Sequence, residues 1–190
     1  AIVVTHGVAG SGKTTLTQAL LEGLPAIRLR TDVERKRLHG LAPTARSGSP
    51  VDAGLYASAI TEQTYGRLAA HAGTVATAGY TAVLDGTFLR RAQRERMRTL
   101  AASLRVPFVI LDVHAPDAVV RRRVEQRAQG GGDASEATVE VLERQLRDRE
   151  PLTGDERSTA VTVDATRAPD PALVAVVAEA IDAQARGARA

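Results

Sequence analysis

Apolar positions fall into two kinds of segment along the chain. Short apolar runs, mostly β-branched, recur at Ile2 to Val4, Ala26 to Leu29, Tyr80 to Leu84, Phe108 to Val113 and Ala160 to Val163, each suited to one buried strand. Between them, apolar residues recur at helical spacing or charged residues dominate. These stretches predict helices over Lys13 to about Gly23, Val33 to about His39, Arg90 to about Leu104, Pro116 to about Ala128 and Ser135 to Glu150. A long helix carries Tyr56, Ile60, Leu68, Ala72 and Val75 and ends near Gly79, and a last one is marked by Leu173, Val177 and Ile181. Strands that alternate with helices pair in parallel, because each crossover must pass over a sheet face. The expected fold is α/β, a three-layer αβα sandwich around a five-stranded parallel sheet.

The breaks in the pattern are informative too. Gly40 to Gly54 is rich in Gly, Pro and Ser and lacks periodicity, which predicts a loop on the substrate side. Gly130-Gly131-Gly132 predicts a hinge, with a lid over about 128 to 150, and residues 185–190 read as a frayed tail. Residues 1–190 carry no internal repeat and read as one domain. The chain enters its first strand almost directly after Ala1, which fits a processed, trimmed or excised domain and leaves room for a fused upstream part.

Composition narrows the chemistry. The 190 residues are 44% apolar and 25% charged, the balance of a soluble globular domain. Basic residues number 25 and acidic ones 22, so the net charge of +3 permits nucleic acid as a partner without indicating it. Only Lys13 and Lys36 are lysines, so a lysine inside a motif stands out from the arginine background. The absence of cysteine excludes a disulfide framework and a thiol nucleophile and fits the cytoplasm. No apolar run approaches the roughly 20 residues of a membrane span, so no membrane partner is expected.

Gly7-Val8-Ala9-Gly10-Ser11-Gly12-Lys13-Thr14 matches G-x-x-x-x-G-K-[ST] in full, directly after a predicted strand and before a predicted helix. The motif requires backbone N–H groups to turn inward around phosphate oxygens, which Gly7, Gly10 and Gly12 permit, while Ser11 and Thr15 complete the wall. Lys13 can reach the β- and γ-phosphates of ATP, and the Thr14 hydroxyl can bind magnesium. Asp85 ends the third strand, where a carboxylate could hold that magnesium through water; a turn-capping role at Gly86 is the alternative.

In open α/β sheets ligands collect at the carboxyl ends of the strands. Asp32 follows the second strand there, as a general base for an acceptor hydroxyl or as the N-cap of the next helix. Arg35 and Lys36 could each meet an anionic acceptor or product phosphate or be solvated helix charges. Thr87, a candidate acceptor contact, clusters after Asp85 with Arg90, Arg91 and Arg94, each of which alone is more readily read as surface. Arg123 and Arg127 share one helical face ahead of the glycines and suggest arginines delivered by the lid to charge developing in transfer; a solvated face is the other reading. Asp112 is a weaker strand-end candidate. The histidines lack metal-site spacing and read as structural (His6) or as packing and surface residues (His39, His71, His114).

These features together resemble a known family. The loop, Arg30-Thr31-Asp32-Val33-Glu34-Arg35-Lys36-Arg37-Leu38, Val83-Leu84-Asp85-Gly86-Thr87-Phe88-Leu89, and Arg121, Arg123 and Arg127 are similar to P-loop kinases of the "AAA domain" type over nearly the whole chain. Such domains often form the carboxyl-terminal half of bacterial proteins whose other half resembles an aminoglycoside phosphotransferase. More distant resemblance extends to gluconate kinases, polynucleotide 5′-hydroxyl kinases and zeta toxins. It implies strand order 2-3-1-4-5, an acceptor-activating aspartate at Asp32, and lid arginines at Arg123 and Arg127. The Gly40 to Gly54 loop matches no sugar, nucleic-acid or nucleotide pocket. The expected activity is ATP- and magnesium-dependent phosphoryl transfer to a hydroxyl of a small molecule. The alternatives are a polynucleotide 5′-hydroxyl kinase, with a groove of Arg28, Arg30, Arg35 and Arg37, and a non-catalytic ATP-binding regulatory module.

Overall fold

The computed structural model describes residues 1–45, 57–130 and 135–187. Five strands, β1 (Ile2–His6), β2 (Ala26–Arg30), β3 (Thr81–Asp85), β4 (Phe108–His114) and β5 (Ala160–Asp164), form one parallel sheet in the order β2-β3-β1-β4-β5. This is the expected αβα sandwich and strand order. Central β1 sits between β3 and β4, with Val3 opposite Val83 on one side and Val109 on the other. Every residue of β1 and β3 is buried, as a parallel sheet covered on both faces demands.

Strand alternation sorts the apolar residues into two cores. Ile2, Val4, Ala82, Leu84 and Ile110 pack against α3 (Ser58–Thr77) and α4 (Arg91–Leu104) through Tyr65, Leu68, Ala72 and Met97. Val3, Val83, Val109, Leu111 and Val113 face α1 (Lys13–Gly23) and α8 (Leu173–Gly187) through Leu16, Leu20 and Val177. A third cluster sits above the sheet, where Val8, Ala9 and Leu89 meet Val120 and Val124 of α5 (Asp117–Gly130) and Leu142 of α6 (Val139–Asp148). It joins α5 and α6 to the phosphate loop.

Several boundaries differ from expectation for local reasons. Helix α2 (Thr31–Leu38) starts directly from β2, so Arg30 is its N-cap and Asp32 lies inside the first turn. Helix α6 starts at Val139 instead of Ser135, with the Thr138 hydroxyl accepting from Val141 N–H. Glu143 pairs with Arg121 on α5, tying the two helices together. A short α7 (Gly154–Arg157), absent from the predicted set, is held by a Thr153–Glu156 capping box. Helix α8 continues to Gly187, three residues past Gln184 where fraying was expected. Most of the Gly40 to Gly54 loop, Tyr56, Gly131 to Ala134 and residues 188–190 lie outside the described residues.

Candidate functional site

The loop between β1 and α1 forms a cradle of main-chain groups. Gly12 caps α1 in a left-handed conformation (φ 102°), and Lys13 opens the helix. Gly10 also has positive φ (78°), and a Cβ there would lie 2.7 Å from the Val120 carbonyl oxygen, so only glycine fits. The backbone N–H groups of Gly7 and Ser11 donate to the Thr87 and Val8 carbonyls. That of Ala9 donates to the Gln145 side-chain oxygen on α6, at 2.7 Å.

Lys13 is buried beneath the loop, its Nζ donating to the Val8 carbonyl at 2.6 Å. Burial pushes its ammonium down to about 8; the Asp85 carboxylate opposes the shift, Arg127 adds to it, and Asp32 opposes it. An ammonium so short of solvation has a strong demand for anionic partners. With a helix N-terminus beside it, the cradle fits phosphate.

One cavity of about 190 Å³ unites the main candidates: Lys13, Thr14, Thr15, Asp32, Arg35, Asp85, Thr87 and Arg127 all line it, with Gly10 and Gly12. Thr14 and buried Asp85 offer hydroxyl and carboxylate oxygens to this space, a donor set that suits magnesium completed by phosphates and water. Among the described residues no cluster of three or more His, Cys, Asp or Glu could hold a metal. Thr17, one turn along α1 from Lys13, donates to the Asp85 carboxylate at 3.4 Å.

Asp32 is oriented by a fork. Arg30 donates to both of its oxygens, at 3.1 and 2.7 Å, and Val33 N–H donates to one of them at 2.8 Å. Asp32 therefore does not serve as the helix N-cap; its carboxylate is held from the end of β2 and lines the phosphate cavity. Arg35 donates to the Thr61 hydroxyl at 3.0 Å. Thr87 precedes Phe88, a buried residue with positive φ (43°) whose ring meets Tyr65 edge-on with centroids 5.0 Å apart. A non-glycine residue in that conformation stores strain, held here by packing. Tyr65 also lines the cavity, and burial pushes its hydroxyl pKa up, with a Thr87 hydrogen bond and Arg35 opposing.

The two candidate arginines of α5 part company. Arg127 lines the phosphate cavity, whereas Arg123 donates to the Ala165 carbonyl at 2.8 Å and the Gly10 carbonyl at 3.4 Å. Arg123 thus sits beside a second cavity, about 440 Å³, formed by Gly10, Gly12, Thr15 and the segment from Ala165 to Pro169 and shared with Arg127. A third space of about 320 Å³ opens on the opposite side, sharing Thr87, Val141 and Gln145 with the phosphate cavity. Gly7 and Ser11 instead line a small cavity of about 30 Å³ behind the loop. There the Asp112 carboxylate bonds His6 and His114, both at 2.7 Å. Burial pushes the Asp112 pKa up, and the two histidine contacts more than offset it, leaving it lowered.

Some residues stand where their sequence signal did not point. Arg94, which read as surface, is fully buried and pairs with Glu156 at 2.6 Å while donating to the Phe88 carbonyl at 2.9 Å. Lys36 is likewise buried, paired with Glu136 at 3.0 Å ahead of α6. Tyr65 and Gln145 carried no motif; their signal was at most an apolar helix face for one and none for the other.

Sheet order, phosphate loop and flanking helices define a P-loop domain with a kinase fold, and such a loop implies nucleotide binding. The family model described as "AAA domain" matches residues 2–152, and the chain belongs to that family. Uncharacterized proteins of Mycobacterium tuberculosis (strain H37Rv) and Mycobacterium bovis are 29% identical over 134 residues, 70% of this chain. The chain spans only 27% of the length of these relatives. Among solved structures, a sugar kinase from Janibacter sp. HTCC2649 superposes with TM-score 0.69 at 22% identity, covering 98% of this chain and 96% of that one. A gluconokinase from Sinorhizobium meliloti 1021 gives 0.61 at 22%, covering 100% and 94%. Kti12 of Chaetomium thermophilum, solved with ADP-AlF3, gives 0.71 at 16%, covering 97% and 98%. At these identities the likeness establishes the fold alone. No helix among the described residues is long and apolar enough to cross a membrane.

Proposed function

We propose that this chain is a magnesium- and ATP-dependent phosphotransferase acting on a hydroxyl of a small polar acceptor. The observation that carries the reading is the shared cavity of Lys13 and Asp32: a phosphate-seeking ammonium and an oriented carboxylate face the same 190 Å³. In the transfer, the acceptor oxygen bonds the γ-phosphorus, the bond from that phosphorus to the β–γ bridging oxygen breaks, and the acceptor proton passes to Asp32. Lys13 and Arg127 stabilise charge on the phosphoryl oxygens, and Arg30 keeps Asp32 aimed. Magnesium, held by Thr14 and Asp85, would neutralise phosphate charge. The 440 Å³ cavity beside Arg123 suits the nucleoside, and the 320 Å³ space beyond Thr87 suits the body of the acceptor.

A small acceptor is favoured over a polynucleotide because the arginines of the expected basic groove have partners within the protein. Arg28 bonds Thr14 and Thr17, Arg30 bonds Asp32, Arg35 bonds Thr61, and Arg37 bonds Glu34. A purely regulatory nucleotide switch would have no use for the aimed carboxylate. The likeness to a sugar kinase and a gluconokinase makes polyhydroxylated compounds the first acceptors to try. The test is acceptor-dependent ADP release across sugars, nucleosides, antibiotics and 5′-hydroxyl oligonucleotides. Asp32→Asn should lower turnover about 10²–10⁴-fold with ATP affinity retained, the range for a lost general base. Turnover that survives the substitution defeats the mechanism.

A further inference from the structure

Three amides of the phosphate loop donate within the protein, and one of those bonds differs in kind. Gly7 and Ser11 donate to main-chain carbonyls, which cannot leave without moving the fold. Ala9 donates to a side chain from another element, the Gln145 carboxamide, which can rotate away. The carboxamide oxygen must face that N–H, since its own NH₂ accepts nothing.

The position of this contact is as telling as its chemistry. The base-side cavity shares Gly10, Gly12, Thr15 and Arg127 with the phosphate cavity but does not include Ala9. Ala9 and Gln145 meet in the phosphate cavity, and Gln145 also lines the outer space. The Ala9 amide therefore lies toward the acceptor end, beyond the groups that would hold the inner phosphates.

We propose that Gln145 is a specificity-determining residue of the nucleotide site: its carboxamide oxygen occupies the amide that the outermost phosphate of a nucleoside triphosphate takes. This rests on reading the Gly7 to Thr15 loop as the phosphate cradle. A phosphate oxygen is charged, and charge-assisted hydrogen bonds are about twice as strong as neutral ones, so a triphosphate displaces the carboxamide. A diphosphate, held nearer the base side, leaves it in place. Triphosphate binding thus costs one hydrogen bond between α6 and the loop that diphosphate binding spares, which narrows the preference for ATP over ADP.

The helix does not depend on this bond for its position. Leu142 is fully buried against Val8, Ala9, Val120 and Val124, so a shortened side chain at 145 leaves α6 anchored. The experiment is calorimetric titration of the full chain with magnesium plus ADP, or with the hydrolysis-resistant imido analogue of ATP, for the native protein, Gln145→Ala and Gln145→Glu. Gln145→Ala should tighten the analogue about 2- to 10-fold, the worth of one neutral hydrogen bond, and leave ADP unchanged. Gln145→Glu, with a charged acceptor on the amide, should weaken the analogue by about tenfold while ADP shifts far less. Opposite signs in the two variants distinguish competition from mere loosening. An analogue-to-ADP ratio that stays fixed, or parallel losses for both nucleotides with a lowered melting temperature, overturns the inference alone. If the native protein binds neither nucleotide, the cradle reading fails and takes this inference with it.

Discussion

The two walls of the cleft are made differently. The wall we propose for the nucleotide comes from one local stretch of chain, with Ala9, Gly10, Gly12, Lys13, Thr14 and Thr15 all between β1 and the first turn of α1. The wall we propose for the acceptor is assembled from Asp32 on α2, Tyr65 on α3 and Thr87 after β3. A wall of local origin depends on its own sequence, whereas an assembled one depends on whatever fixes its pieces relative to one another. Damage to remote packing should therefore reach the acceptor wall first.

Arg94 offers the largest test. It holds the Phe88 carbonyl next to Thr87, the Glu150 carbonyl just beyond α6, and the Glu156 carboxylate, all from a fully buried position. Arg94→Met would leave Glu156 buried without its partner, a change worth about 3–5 kcal/mol of stability. Denaturant unfolding should read that loss, and adding Glu156→Gln should recover part of it. Where the single variant remains folded, acceptor-dependent turnover should suffer more than ADP affinity. A stability change below about 1 kcal/mol would mean that the ion pair does not brace the wall.

A pair of glycines sharpens the contrast at closer range. A Cβ on Gly10 meets the Val120 carbonyl at 2.7 Å, and the backbone there has positive φ, so Gly10→Ala must displace the loop itself. Nucleotide affinity should fall at least about tenfold, since the strain of such a site is of order 1–3 kcal/mol. On Gly86 the Cβ would meet the Thr31 side chain at 2.4 Å, beside Asp32. Side-chain neighbours can shift, so Gly86→Ala should leave nucleotide affinity within about threefold and act on acceptor turnover instead. Equal losses of nucleotide affinity in both variants would erase the distinction between the walls.

The same contrast explains what could be read from the sequence. The sheet was legible because each strand is a short apolar run bracketed by helices, and the phosphate loop because its glycines, Lys13 and Thr14 sit at fixed local spacing. Asp32 was legible as a strand-end carboxylate, but its fork with Arg30 was not, since nothing local marks Arg30 among the arginines as its partner. Arg94 was hidden by composition: in a chain rich in arginine, nothing local marks the residue that pairs with the buried Glu156 carboxylate. Gln145 was invisible for a simpler reason, because its partner Ala9 lies 136 positions away.

The smallest predicted effect tests the nucleotide wall without altering the acceptor wall. Because burial lowers the Lys13 pKa to about 8, the free protein loses that proton as pH rises through the mildly alkaline range. A bound triphosphate favours the ammonium, so its pKa is higher in the complex, and binding above this pH must draw a proton from solution. The sign follows: affinity is insensitive to this group well below pH 8 and declines above it. With a free-state value of about 8, the nucleotide dissociation constant should rise about fivefold between pH 8 and pH 9. Lys13→Arg keeps a charge that does not titrate in this range, so it should bind more weakly yet lose the slope. A slope that persists in Lys13→Arg would assign the proton to another group and leave the buried lysine without its proposed part in holding phosphate.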